Sequence, residues 1–368
     1  PPARRCSAVD APRPRASALQ VAGRATRSLL ELPPSPGPRT WIALRAALSV
    51  SLPFGALTLL GHPEIGLQTA AGAFVALYFA GMGAAERGKV LPFVATALIA
   101  CAALGALLAP WPILLAVGLV LVTIGASMLC FAYRVGPPGS VFFALTFGLS
   151  ANITAVVDGE RLNSPVTLLL AVSGGAFFAY LLALAPLLRK AERARPAREL
   201  SELLPGPWLG AGEQELIARV AVVAVLGTAV SVLWIDPHRA YWTVTAGVAV
   251  VGLVAGRRHA IGRGLHRTVG TLIGAGVYLA IAPLGRLPLL LVLLLGVLQF
   301  AVESVVVRNY ALALVFITPL VLLITGAATS AGDLWGSALE RFLDTAVGVA
   351  IAMLTALIHR RSAPRAYR

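Results

Sequence analysis

Acidic side chains are scarce in this chain. Its 368 residues hold 16 Asp and Glu against 30 Lys and Arg, a net charge of +14, and only 12% are charged. A water-soluble surface usually needs about a quarter charged residues, so a soluble globular class is excluded. Cysteine is scarcer still. Cys6, Cys101 and Cys130 are odd in number, two of them sit in apolar runs, and none has metal-ligand spacing. A disulfide framework and a metal centre are thereby excluded. Walker loops, zinc motifs and nucleophile elbows are also missing. The five histidines (His62, His238, His259, His266 and His359) are scattered. We therefore expect no catalytic residues, no cofactor and no enzyme, and an ATP-driven pump within this chain is disfavoured.

What the chain has in abundance is apolar sequence. Hydrophobic residues make up 58%, in long runs, with a mean hydropathy of +0.83. That pattern predicts an all-α polytopic membrane protein. Runs without alternation exclude a barrel, and helices then satisfy the backbone in lipid. Helices are expected near 41–60, 65–82, 90–109, 112–132, 137–155, 165–186, 217–234, 241–256, 266–284, 287–302, 309–326 and 335–358. Twelve spans result, flanked by a disordered basic tail at 1–40 and a short basic tail at 359–368. The first tail is arginine-rich and acid-poor, a composition shared with transit peptides.

Basic residues orient the chain. With the N-terminus inside, the outer segments hold only Arg161, Arg239 and Arg286. Arg45, Arg219 and Arg341 fall within or at the ends of helices, and every other Lys or Arg is inside. The bias places both termini in the cytoplasm of a bacterial inner membrane. The same charge lacks a stacking platform, so membrane lipids rather than nucleic acid are its expected partner.

The halves 41–186 and 217–358, joined by the polar linker 187–216, resemble each other. Ala71-Gly72-Ala73-Phe74-Val75 corresponds to Ala246-Gly247-Val248-Ala249-Val250, and Ala144-Leu145-Thr146-Phe147 to Ala313-Leu314-Val315-Phe316. Six helices per half make the two repeats parallel. The second helix of each is short and glycine-punctuated, which points to a transporter's binding region.

One stretch concentrates charge between two apolar runs. Arg257, Arg258, His259, Arg263, His266 and Arg267 fall within eleven residues. Arg263 and Arg267, spaced i, i+4, share a face if the stretch is helical, and arginine's planar fork suits a carboxylate. The bland alternative is an orientation signal touching headgroups. Gly252, Gly256, Gly270 and Gly274 form small-x-x-x-small pairs for helix packing. Ionisable residues at membrane depth are functional by default. Asp344 is the deepest carboxylate and a candidate for proton coupling, with a structural pair to Arg341 as the alternative. Asn309 and Tyr310 open a helix at the inner interface as candidate substrate contacts. Glu303 and Arg308 read as a solvated face.

Together these motifs carry a resemblance. Arg263-x-x-x-Arg267-x-x-Gly270-Thr271-x-x-Gly274, then Asn309-Tyr310-Ala311-Leu312-Ala313 with Thr318-Pro319-Leu320, then Arg341-x-x-Asp344-Thr345-x-x-Gly348 resemble the fusaric acid resistance family. The likeness is strong over 217–358 and weak over 41–186, which lacks the paired arginines. It implies bacterial inner-membrane export of aromatic and other organic acids, and a distant relation to plant aluminium-activated malate transporters. Larger members carry a cytoplasmic domain after each membrane half, whereas this linker is short. The expected function is secondary export of organic anions driven by proton motive force. An anion channel of the malate-channel kind and a non-transporting subunit for envelope assembly are the alternatives, and a homo-oligomer stays open.

Overall fold

The computed structural model describes residues 23, 26–34, 37, 39–253, 257–329 and 333–356. Gly256, most of the N-terminal tail and the C-terminal tail lie outside the described residues. Among the described residues the long helices are α1 (Thr40–Leu59), α2 (Pro63–Ala73), α3 (Ala84–Leu108), α4 (Pro112–Ala132), α5 (Val141–Ile153) and α6 (Pro165–Leu184). They continue as α7 (Ala211–Val230), α8 (Ala240–Val251), α9 (Arg257–Ile281), α10 (Pro288–Val305), α11 (Tyr310–Thr329) and α12 (Leu334–Thr355). Strand structure among them is a two-residue ladder between α5 and α6, Val156–Val157 against Glu160–Arg161.

Local chemistry sets many helix starts. Pro63, Pro112, Pro165 and Pro288 each open a helix, where proline's fixed φ fits and its missing N–H costs nothing. Asp333 caps α12 by accepting from the Gly336 N–H at 2.9 Å. Gly252, expected to pack helices, instead ends α8 in a left-handed turn at φ 64°, a conformation glycine adopts without strain.

Seven helical segments are long and apolar enough to cross a membrane: those at 40–59, 84–108, 112–132, 165–188, 211–235, 258–286 and 288–305. Their outward positions carry Leu107, Ile113, Leu121, Leu170, Phe177 and Leu293, all exposed, which suits contact with lipid rather than water. The chain is an integral membrane protein.

One boundary differs from expectation in a way that matters. The helix expected to start near 266 begins at Arg257. Ala260 and Gly264 supply the apolar face there, and Gly264 lies against Val349 and Met353 of α12. Packing thus overrides the charge-dense sequence. Arg267 is in the third turn of α9, beyond the first turn where the helix dipole would oppose its charge.

Packing follows a pattern that recurs. In the first half α1 lies on α2, α2 on α6, and α3 on both α5 and α6; in the second α7 lies on α8, α8 on α12, and α9 on both α11 and α12. Across the halves α10 packs on α1 as α7 packs on α4. Close approach occurs at matching glycines. A Cβ at Gly175 in α6 would meet the Thr69 carbonyl in α2, and a Cβ at Gly348 in α12 would meet the Thr243 carbonyl in α8. Two apolar clusters fill the interior. The larger mainly joins α3 to α8 with α12, through Leu98, Phe147, Leu168, Val223, Val250 and Ile351. The smaller joins α1, α2 and α9 to α11, through Phe54, Leu67, Tyr278, Leu295 and Leu320. All twelve residues of α8 are buried, as expected of a helix apolar on every side.

The α9–α11 contact gives a test. A Cβ at Gly270 would meet the Ala311 carbonyl and sit 2.7 Å from the Leu314 Cβ, and one at Gly274 would sit 2.7 Å from the Thr318 Cβ. Nothing lies within 4 Å at Gly276. Overpacking such a contact costs about 1–3 kcal/mol or more. Gly270→Leu should lower folded yield and melting temperature in detergent, while Gly276→Leu leaves both near wild type.

Candidate functional site

The basic face of α9 meets the first turn of α11 at one end of the bundle. Arg263 and Arg267 project toward Tyr310 from successive turns. The Arg263 guanidinium lies 4.3 Å from the Tyr310 ring centroid, a cation–π contact, while its Nε donates to the Ala249 carbonyl at 2.9 Å. Arg267 Nη1 donates to the Tyr310 hydroxyl at 2.7 Å. Tyr310 is therefore held between two arginines. Among the described residues neither arginine pairs with a carboxylate, and Arg267, 6% exposed, keeps an Nε without a partner. A buried cation without a counter-ion is costly.

Beside this clamp opens a cleft of about 470 Å³, lined by Arg258, His259, Arg263, His266 and Arg308, with Ser28, Gly262, Val306, Val307 and Tyr310 completing the wall. Among the described residues no acidic one lines it. Arginine's planar fork is the side chain that suits carboxylate or phosphate oxygens.

Asn309 stands at the cleft edge but its polar atoms are engaged. Its Oδ1 accepts from the Leu312 N–H at 3.0 Å and caps α11. Its Nδ2 donates to the carbonyls of Leu29 at 2.8 Å and Glu31 at 3.0 Å.

Asp344 and Arg341 lie deeper, where α12 meets α8. Asp344 is 1% exposed. Its Oδ1 accepts from the Thr243 hydroxyl at 3.4 Å, and its Oδ2 has no partner. The alternative pair with Arg341 does not form. Arg341 lies 4.0 Å over the Trp242 ring instead, with Nε and Nη1 unpartnered. The i, i+3 spacing permits the pair, but two adjacent residues of α8 engage the side chains separately, Trp242 taking Arg341 and Thr243 taking Asp344. Near the start of α12, Glu340 pairs with Arg239, which also pairs with Asp236 at 3.2 Å.

Three features had no sequence signal strong enough to find them. Glu303, expected on a solvated face, is buried and receives Arg39 Nη2 at 2.9 Å. That pair joins the entry of α1 to the end of α10. Arg219 is fully buried, with Nε donating to the Thr355 hydroxyl at 3.3 Å and both terminal nitrogens unpartnered. An isolated arginine in an apolar run was its only signal. Residues 26–34 and Arg39, expected to be part of a disordered tail, include a helical turn at 26–30 and bond to α9, the start of α11 and the end of α10. Packing supplies the order that their composition lacks.

Comparison with known proteins bears on this half. Residues 220–355 match the family model described as fusaric acid resistance protein-like. The second half resembles that family. This stretch contains Arg263, Arg267, Asn309, Tyr310, Arg341 and Asp344. A Bacillus subtilis (strain 168) protein described as the uncharacterized membrane protein YvaC is 34% identical over 127 residues, 33% of this chain and 20% of that protein. The chain thus aligns with about a fifth of that relative's length. No solved structure matches.

The Arg39–Glu303 pair yields a stability test. Leaving either partner of such a part-buried bond unmatched costs about 2 kcal/mol. Glu303→Gln and Arg39→Gln should each lower the melting temperature. The double variant should fall by less than the sum, giving a positive coupling in a double-mutant cycle.

Proposed function

We propose that the protein is a secondary transporter that exports organic acids, aromatic acids among them, from the cytoplasm across a bacterial inner membrane. The observation that carries this reading is the uncompensated cation cluster. Arg263 and Arg267 hold Tyr310 beside a cleft lined by basic residues and, among the described ones, no acid. A carboxylate entering there would meet two guanidinium forks and offset the cost of burying Arg267. Arg341, buried over Trp242 with two nitrogens unpartnered, is a further uncompensated cation in this half. Likeness of this half to the fusaric acid resistance family supports the same class.

The architecture proposed with it is two parallel six-helix repeats with twelve spans. The recurring neighbour pattern and the matching glycine contacts Gly175–Thr69 and Gly348–Thr243 support it. The lysine and arginine bias supports cytoplasmic termini and a cytoplasmic linker. Asp344, buried with one oxygen unpartnered, is the residue we assign to proton coupling. A carboxylate at such depth is costly when charged, so a proton taken up there links its charge to the transport cycle.

The test is organic-acid efflux from proteoliposomes, normalised to protein. Arg267→Gln should reduce efflux at least about tenfold, the loss of one charge-assisted bond, with no fall in melting temperature, because it removes an uncompensated charge. Arg267→Lys should recover part, since lysine keeps charge but loses the fork. Arg258→Gln should matter less. Equal rates for all variants would reduce the cluster to an orientation signal.

Asp344→Asn separates exporter from channel. An exporter should lose uphill efflux under an imposed pH gradient while keeping downhill exchange. A channel, or a subunit with no flux of its own, would show no such split.

A further inference from the structure

The segment that precedes α1 does more than link a tail to the membrane. Ser28 forms part of the cleft wall, and its Oγ lies 2.8 Å from His266 Nε2 on α9. One residue further, the Leu29 carbonyl accepts from Asn309 Nδ2 at 2.8 Å, and the Glu31 carbonyl shares the same amide at 3.0 Å. The Pro33 carbonyl accepts from Arg308 Nε at 2.8 Å. Arg39 then closes the run with bonds to the Glu303 carbonyl and carboxylate. Each of these ties from Ser28 to Pro33 runs to a residue that lines the cleft or stands at its edge.

These ties differ from those that hold a helix in lipid. They are polar and reach backbone carbonyls, and Leu30 and Glu31 are exposed. Little apolar area is buried to hold the segment down, so a few hydrogen bonds decide whether it is docked. Asn309 is the hub, because one side chain both caps α11 and binds the segment.

We infer that residues 26–33 are a removable wall of the basic cleft, and that Asn309 is the positioning residue that docks it over Arg263. Undocked, the cleft widens toward solvent and Arg263 is reached freely. Docked, the segment restricts entry to solutes that pass beside Ser28. The inference rests on the anion reading only for the nature of the solute, since the wall stands on its own contacts.

Gly262 provides the probe. It lines the cleft, and a Cβ there meets nothing within 4 Å. The experiment uses the full chain in detergent, with Cys6, Cys101 and Cys130 replaced by alanine and Gly262→Cys as the one thiol. Labelling rates are measured with a neutral methyl methanethiosulfonate and an anionic sulfonatoethyl methanethiosulfonate, each relative to free cysteine. Asn309→Ser keeps a capping oxygen but loses the amide donors. It should speed neutral labelling by about tenfold, as expected for losing one to two net hydrogen bonds. Unchanged neutral labelling in the folded variant would overturn the wall. If Asn309→Ser does not fold, Ser28→Ala with Arg308→Gln loosens the same segment from the other side and is read in the same way. The anionic reagent separates this result from the transport reading. Faster neutral labelling, with the anionic reagent no faster than the neutral one, would leave the wall standing and remove the anion-selective cleft.

Discussion

Gly348 lies directly against the Thr243 carbonyl, and the placement of Arg341 and Asp344 depends on that contact. With no side chain between them, α8 and α12 approach backbone to backbone, as small residues allow in membranes. The approach brings Trp242 under the Arg341 guanidinium and the Thr243 hydroxyl to Asp344. It also leaves α12 free to meet α9 on its other side, where Gly264 receives Met353 and Val349. Any side chain at 348 would move α12 outward, and Arg341 would lose its ring.

The two halves use similar packing with different electrostatics. Arg87 in the first half is buried, but its nitrogens donate to the Ala183 and Met82 carbonyls. Arg45 reaches the Ala80 carbonyl but keeps an unpartnered Nε. In the second half Arg263 donates to the Ala249 carbonyl, while Arg219 and Arg267 keep nitrogens without partners. Carbonyl partners are thus most complete at Arg87. The docked linker adds to the first half's rigidity, since Arg198 pairs with Glu86 at 2.7 Å and Trp208 donates its N–H to Ala132.

Much of the membrane framework was legible because its signals are local. Apolar runs, proline at helix starts and glycine spacing each act within a few residues, and they located most of the helices to within a few positions. The start of α9 was not legible. Its arginines hid the small-residue face of Ala260 and Gly264, which acquires meaning only beside Met353. Arg263 and Arg267 could be put on one face from spacing alone, but their common partner Tyr310 lies 43 or more positions away. Arg39 with Glu303 and Leu29 with Asn309 are separated by 264 and 280 positions. Such pairs have no periodic signature, and Glu303 looked solvated because nothing nearby in sequence neutralises it. The Asp344–Arg341 spacing pointed to a pair that three-dimensional packing forbids.

The shortness of α8 has an electrical consequence. Its 12 residues rise only about 18 Å, while the hydrocarbon of a bilayer is about 30 Å thick. The neighbouring α9 and α12 are longer, at 25 and 22 residues. Arg263, which lines the basic cleft, bonds the Ala249 carbonyl near one end of α8, and Arg239 stands at the other. Voltage falls mainly across whatever excludes water, so water reaching both ends of α8 would compress the membrane field into the stretch that α8 occupies. On the proposed anion reading, a solute crossing there would take up the full electrical work, about 2.3 kcal/mol per unit charge for each 100 mV, over little more than half the bilayer's thickness.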